Sequence, residues 1–303
     1  MECVRNADVA KLPPAGTHES EHYLWSMKGT ALELTHNHGT ESDASFAIWS
    51  GNSGRDLPET SPLHISKGPV RGFGHIAFNV PDVYATSKEL EAAGVKFQKR
   101  PDEGRMKGLA FCFDPDGYWI ELVKRSDAVS FPEPANLSQT MLRVKDAEKT
   151  IDFYRDVMGM SLVRSMHVPN DFSNYFLCCL TPEQRSVAPD PESPEAREFV
   201  KTLWQPVLEM THNHGSEKDP HFGVHTGNTD VPNCCLQKGF GHIGFLVDDL
   251  QACCDEMLAA GVEFFKKPQD GNMSQIAFAL DPSGYRIELV QRGCSFHGAC
   301  RNF

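Results

Sequence analysis

An α+β fold of tandem βαβββ modules is predicted by three observations. Motifs recur: Leu32-Glu33-Leu34-Thr35-His36-Asn37-His38-Gly39 returns as Leu208-Glu209-Met210-Thr211-His212-Asn213-His214-Gly215, and Gly72-Phe73-Gly74-His75-Ile76 as Gly239-Phe240-Gly241-His242-Ile243. Asp114-Pro115 through Tyr118 to Ile120-Glu121-Leu122-Val123 likewise returns as Asp281-Pro282 through Tyr285 to Ile287-Glu288-Leu289-Val290. The spacing is kept, since 46 residues separate His75 from Glu121 (121 − 75) and His242 from Glu288 (288 − 242). Finally, strand-like segments alternate with short amphipathic helices. About three modules result, in two repeated units over residues 1–130 and 136–295.

The elements follow in chain order. Leu32–Leu34 reads as a strand with Glu33 opposite its apolar neighbours. His75–Val80 is a second strand, with His75, Ala77 and Asn79 on one face and Ile76, Phe78 and Val80 on the other. Pro81 opens a helix carrying Val83, Ser87 and Leu90 and ending at Gly94. Asp114-Pro115 and Asp281-Pro282 read as hairpin turns. Glu121 then stands opposite Ile120 and Leu122, and Phe131-Pro132-Glu133-Pro134 reads as a linker. The strand Gln139–Val144 puts Gln139, Met141 and Arg143 on one face. Asp146 caps a helix carrying Ala147, Ile151, Tyr154 and Met158, which Gly159 stops. Cys178 to Lys201, with four prolines, reads as a surface insertion without chemistry. Glu209 again opposes Leu208 and Met210. Leu250, Cys254 and Met257 repeat the earlier helix before Gly261. On this alternation each His or Glu points away from a core-forming face.

The composition is that of an ordinary globular chain. A net charge of −12 argues against nucleic acid or an anionic membrane as the main partner. It leaves room for a small anionic ligand held by local Arg or Lys. No apolar run reaches the length of a membrane span, and no signal-peptide core opens the chain, so the expected address is the cytosol. None of the ten cysteines forms a CxxC, and they read as thiols in a reducing compartment.

One His and two Glu, each on a strand and each repeated, are the material of a divalent-metal site. Around them, Gln139-Thr140-Met141-Leu142-Arg143-Val144, the Asp152-Phe153-Tyr154 helix, Leu208–Asn213, Gly239–His242 and Tyr285–Glu288 resemble glyoxalase I (lactoylglutathione lyase) of the vicinal oxygen chelate superfamily. The resemblance covers residues 22–292, with the motifs in family order. It implies one metal held by Gln139 and Glu209 from the second unit and His75 and Glu121 from the first, so that a monomer builds its site across two repeats. It also implies that Arg143, Asn213, Arg71, Arg105 and Met106 bind glutathione, whose two carboxylates need charge-assisted partners.

The activity implied is isomerisation of the methylglyoxal–glutathione hemithioacetal to S-lactoylglutathione. The C–H beside a carbonyl is too weak an acid for an unassisted carboxylate, so a metal must stabilise the enediolate while Glu121 moves the proton; Glu209 could do the same for the opposite enantiomer. The oxygen-rich set with a single His suits Zn²⁺, Ni²⁺, Co²⁺ or Mn²⁺ without choosing among them, and the insertion resembles the zinc-using branch, which favours Zn²⁺ with Ni²⁺ as the alternative. Glu33, His242 and Glu288 form a second, degenerate set. Nothing between Met1 and Lys28 resembles the Gln139 strand, so the first unit is expected to lack its opening strand and helix. Lys238 and Asn272 stand where Arg71 and Arg105 stand. His36, His38, His212 and His214 are expected in turns or behind the ligands, and Trp119 in packing. The rival functions are a non-catalytic thiol- or metabolite-binding protein and an Fe(II) extradiol dioxygenase. The latter needs two His ligands, whereas each repeat offers one on a ligand-facing strand.

Overall fold

The computed structural model describes residues 12–44, 46, 48–52, 71–129, 135–228 and 239–294. The linker at Phe131–Pro134, Cys234, Cys235 and Lys238 lie outside them, as do the first eleven residues of the segment expected to lack a Gln139-like strand.

Three βαβββ modules form. The first comprises β1 (Phe73–Val80), a helix Val83–Ala92, β2 (Phe97–Lys99), β3 (Ala110–Phe113) and β4 (Trp119–Lys124). The second comprises β5 (Asn136–Val144), a helix Ala147–Asp152 that runs on as a π-helical turn, β6 (Ser161–His167), β7 (Phe172–Cys178) and β8 (Val207–Asn213). The third comprises β9 (Ile243–Val247), a helix Leu250–Ala259, β10 (Phe264–Lys266), β11 (Ile276–Leu280) and β12 (Arg286–Gln291). Each helix starts from an aspartate that caps its first turn: Asp82 accepts from the Tyr84 and Ala85 amides, Asp146 from Lys149 and Asp249 from Ala252. Asp114 and Asp281 each accept two amide hydrogens from the turns that follow them, as hairpin signals require.

The chain divides into two compact units, residues 33–240 and residues 1–32 with 241–303. These boundaries are not those of the sequence repeat. The larger unit contains one eight-stranded sheet, ordered β2-β3-β4-β1-β5-β8-β7-β6. It is the first module joined to the second through the antiparallel pair β1–β5, and β1–β4 and β5–β8 are parallel. Leu142, Val144, Tyr154, Leu177 and Met210 are all but fully buried on the helix-covered side. Each such side chain contributes roughly 1.5–3 kcal/mol of burial free energy. The smaller unit carries a four-stranded sheet, β10-β11-β12-β9, and a helix His18–Leu24, after which Trp25 packs on Ile276, Val290 and Cys294.

Three expectations need correction. Leu32–Leu34 is not a strand, and Glu33 is exposed. Its repeat counterpart, Glu209, lies in β8, which pairs with β5 on one side and β7 on the other. Glu33 has no such ladder among the described residues, and without one an apolar-alternating segment does not become a strand. The stretch from Cys178 to Lys201 is more than a surface loop, since Cys178 ends β7 and is fully buried. Thr181 and Pro182 start a helix Pro182–Val187 with a capping box, and Pro194 starts a second, Pro194–Thr202. Phe199 and Val200 of that helix pack on a cluster that includes Val163, Phe176 and Val207. Lastly, the ligand-bearing face of β1 is not the open one: His75, Ala77 and Asn79 are buried, while Ile76 and Phe78 are only half covered.

Candidate metal centre

Strand register decides what meets at the join of the first two modules. Ala77 of β1 lies opposite both Glu121 of the parallel strand β4 and Gln139 of the antiparallel strand β5. Met141, two residues beyond Gln139, lies opposite His75 on one side and Glu209 on the other. Because side chains alternate with period two, His75, Glu121, Gln139 and Glu209 emerge on one face. All four are more than nine-tenths buried.

The His75 Nε2 atom is 3.2 Å from Glu121 Oε2 and 3.5 Å from Glu209 Oε2. The Gln139 amide donates to Glu121 Oε2 and, at 2.9 Å, to Glu209 Oε2. Ligand atoms of His75, Glu121 and Glu209 lie within 4.8 Å of one another. Burial favours a neutral His75, but the Glu121 charge and hydrogen bonds to both glutamates outweigh it and raise the imidazole to about 9. Burial likewise pushes the Glu121 carboxyl above its usual range, although His75 opposes the shift. Two buried carboxylates facing one imidazole leave negative charge for which a cation is the natural complement. The set fits a divalent ion: one imidazole nitrogen, two carboxylates and the Gln139 amide. The amide's nitrogen faces the carboxylates, and a half-turn presents its oxygen at the same point.

The two glutamates are held differently. Glu209 Oε1 accepts from the Asn174 amide at 2.6 Å, and Asn174 Oδ1 accepts from Thr211 Oγ1 at 2.9 Å. Glu121 makes its contacts with His75 and Gln139 through Oε2 alone, and Phe111 lies opposite it on β3. Asn174 and Thr211 were missed by sequence reasoning because their role depends on the β7–β8 register, which local periodicity does not report. Lys99 was also missed. It donates to the Met106 and Leu109 carbonyls at 2.7 Å and holds the loop bearing Arg105 and Met106. Its counterpart Lys266, at the 167-residue offset that relates His75 to His242, does the same to Met273 and Ile276. The repeat itself was the available signal.

The residues expected to bind glutathione are placed unevenly. Arg143, on the ligand face of β5, is half-buried and donates to Asn52 Oδ1 at 3.0 Å. Asn213 is exposed at the end of β8, and Arg71, Arg105, Met106 and Asn272 are exposed in loops. His36 and His212 take the same turn role: each ring pairs with a glutamate five residues on, Glu41 at 2.9 Å and Glu217 at 3.0 Å. His38 lies edge-on to His36, and His214 bonds Ser173 Oγ at 2.8 Å. Trp119 is half-buried and packs against Phe111 and Phe113. In the smaller unit His242 Nε2 is 3.1 Å from Glu288 Oε2. Glu33 belongs to the other compact unit.

Residues 7–122 and 136–289 match the model of the Glyoxalase/Bleomycin resistance protein/Dioxygenase superfamily. The chain is 39% identical over 270 residues to a Saccharomyces cerevisiae protein named glyoxalase I, covering 86% of this chain and 72% of that one. It is 37% identical to the lactoylglutathione lyase of Schizosaccharomyces pombe, covering 88% and 78%. Among solved structures, glyoxalase I from Zea mays superposes with a TM-score of 0.51 at 28% identity, covering 74% of this chain and 68% of that one. No helix among the described residues is long and apolar enough to cross a membrane. Three βαβββ modules, a buried His-Glu-Glu-Gln cluster and these likenesses lead to one conclusion: the chain belongs to the glyoxalase I (lactoylglutathione lyase) family of carbon–sulfur lyases.

Proposed function

We propose that this protein converts the hemithioacetal of glutathione and methylglyoxal into S-lactoylglutathione, with one divalent ion held by His75, Glu121, Gln139 and Glu209. Zn²⁺ is favoured, with Ni²⁺ as the alternative. When bound, the ion supplies Lewis-acid stabilisation for the negative charge that develops on the two substrate oxygens. Glu121 takes the proton from C1 and returns it to C2, and a second proton passes from the C1 hydroxyl to the C2 oxygen; the C1–H pair first forms the C1–C2 double bond as the C2 carbonyl pair withdraws onto its oxygen, and that double-bond pair then forms the new C2–H bond as a pair of the C1 oxygen forms the thioester carbonyl, so nothing is added or lost. The observation that carries this assignment is the asymmetry between the glutamates. Glu209 is braced by Asn174 and Thr211, whereas Glu121 has one oxygen with no hydrogen bond to any described residue.

Arg143 is assigned to a glutathione carboxylate, with Asn213, Arg71 and Arg105 around it and Met106 in the loop held by Lys99. The six cysteines among the described residues are free thiols, which supports a reducing, cytosolic setting. The test is an absorbance assay for thioester formation from methylglyoxal and glutathione, before and after chelation. Turnover should disappear with the metal and return with Zn²⁺ or Ni²⁺. Undiminished turnover in metal-free protein, or metal binding without turnover, would defeat this reading, and the second result would favour a non-catalytic binding protein.

A further inference from the structure

Three side chains that the metal centre does not use meet at the β6 edge of the eight-stranded sheet. His167 closes β6, Ser173 stands opposite it on β7, and His214 follows the last residue of β8. Ser173 is buried, and both imidazoles reach its hydroxyl: His167 Nδ1 and His214 Nε2 each lie 2.8 Å from Oγ. The His167 Nε2 atom faces Glu192 Oε1 at 3.6 Å. Asn174, the next residue of β7, turns to the opposite face and bonds Glu209 there, so the group at Ser173 lies on the side of the sheet away from the His75 cluster.

The backbone fixes where these donors start. The Asp171 amide donates to the Val168 carbonyl and the Val168 amide to the Phe172 carbonyl, which closes the β6–β7 turn, and the His214 amide donates to the Asp171 carbonyl at 3.0 Å. The Pro191 carbonyl accepts from Ser165 of β6 at 2.8 Å, which sets Glu192 beside His167. A serine hydroxyl has one proton and can donate to only one of the two rings. Glu192 keeps a proton on His167 Nε2 and so leaves the Nδ1 lone pair aimed at Ser173; His214 must then donate from Nε2. A tautomer shift in the exposed His214 ring turns that nitrogen into a second lone pair directed at the same point. Two imidazole nitrogens and a hydroxyl oxygen, with a carboxylate behind one ring, are the donor set of a borderline-soft divalent ion and its orienting partner.

We propose that His167, His214 and the Ser173 oxygen form a second divalent-metal site, which takes Zn²⁺ with water completing its shell and ties β6, β7 and the chain after β8 together. Both rings are exposed and free to swing to the ~2.0–2.1 Å that a zinc–imidazole bond needs. Glu192 orients His167 through the ring nitrogen that does not face the ion. Two exposed imidazoles hold an ion less tightly than four buried ligands that include two carboxylates, so this site fills after the His75 cluster.

The test is a calorimetric titration of Zn²⁺ into the chelated full chain. The wild type should show a second binding event, weaker than the first. His167→Ala and His214→Ala should each abolish it and keep the first, which shows that both variants are folded. Glu192→Gln should weaken the second event by about tenfold, the low end of what the loss of an orienting carboxylate costs. His212→Ala removes a ring that bonds Glu217 instead of Ser173, and should leave the event in place. Raising Zn²⁺ through the second event should move the denaturant midpoint of the wild type upward and leave the midpoints of the His167 and His214 variants where they were. No second event in the wild type, or one that survives both His167→Ala and His214→Ala, would overturn the proposal. Loss of the event in His242→Ala would overturn it too, by moving the ion to the His242–Glu288 pair. A chain that shows the event at His167 and His214 but turns over no hemithioacetal would defeat the lyase reading and leave this site standing.

Discussion

The pair His75–Glu121 and the pair His242–Glu288 are built alike and surrounded differently. Their nitrogen–oxygen distances are 3.2 and 3.1 Å. Each imidazole meets a phenylalanine edge-on, Phe111 at 5.3 Å and Phe278 at 5.4 Å. Each lysine that pins the following loop is in place. Yet the His75 side chain is 9% exposed and that of His242 23%. In the eight-stranded sheet β1 has β4 on one side and β5 on the other, whereas in the four-stranded sheet β9 is an edge. One βαβββ module thus suffices to set the His–Glu distance. Burial and the other two side chains of the cluster, Gln139 and Glu209, come from the module that pairs with β1. The repeat carries the His–Glu pair twice, and strand pairing decides which pair is buried.

The hardest blow to this comparison would come from substituting the two glutamates. Glu121→Gln keeps a ligand oxygen and removes the base, and should lower kcat by roughly 10²- to 10⁴-fold with little change in apparent substrate binding. Glu288→Gln should change kcat by less than about threefold, since the base and the bound charge lie elsewhere. Metal titrated into the chelated 303-residue chain should saturate near one tight equivalent. The reverse pattern of inactivation, or two tight equivalents, would show that the pair in the smaller unit also makes a working centre.

Much of this arrangement was legible before any coordinates. The unchanged spacing located both His–Glu pairs, and the alternation Gln139, Met141, Arg143 put the amide and the arginine on one face, where β5 has them. Glu33 was misread for a physical reason. The sequence Leu-Glu-Leu states that a strand is possible, but a strand forms only where backbone donors and acceptors find a partner, and that is a property of distant chain. The same limit hid Asn174, Thr211 and the meeting of His167, Ser173 and His214, which depend on register across three strands. The helices at Pro182–Val187 and Pro194–Thr202 carried local signals, namely a capping box and two prolines at helix starts, which the proline count concealed.

A second comparison lies within the larger unit. Trp49 and His225 are 176 residues apart, the offset of Glu33 and Glu209, so they are repeat counterparts, and their rings meet at 4.0 Å between centres with their planes tilted by 56°. Their flanks are reciprocal as well: Trp49 bridges Gly239, and His225 bridges Gly72. Gly51 and Gly227, both at positive φ, each approach the carbonyl of a counterpart phenylalanine so closely that a Cβ would collide. Where the first repeat has an indole, the second has an imidazole whose Nδ1 accepts from the Gly227 amide at 3.1 Å. Burial holds this ring well below its usual value, at about 4. Its folded pKa is therefore depressed below the unfolded 6.5, and its contribution is complete above pH 6.5 and lost as the pH falls from 6.5 towards 4. That loss has a maximum slope of about 1.4 kcal/mol per pH unit. Denaturant unfolding of the wild type and His225→Phe between pH 7 and 4 should show a shallower decline in the variant. Parallel curves would mean that the imidazole escapes its burial on protonation.

The smallest effect tests how closely the third module keeps the mould of the first. Ala77 lies opposite Glu121 in the β1–β4 pair, and Gly244 lies opposite Glu288 in the β9–β12 pair. Ala77 is fully buried, and Gly244 is exposed. A Cβ placed on Gly244 would find Glu288 Oε2 at 3.4 Å and Glu288 Cβ at 3.9 Å, ordinary contact with the end of a movable side chain. Gly244 has no positive φ to preserve. Gly244→Ala should therefore act mainly by restricting the unfolded chain, stabilising the protein by about 0.5–1 kcal/mol. A rise in the unfolding midpoint with an unchanged denaturant slope would show that the third module still holds the space an alanine occupies in the first. A fall would mean that the Glu288 carboxylate is fixed too firmly to yield, as a carboxylate held in a working metal centre would be, and would bring the two half-sites closer in kind than their exposure suggests.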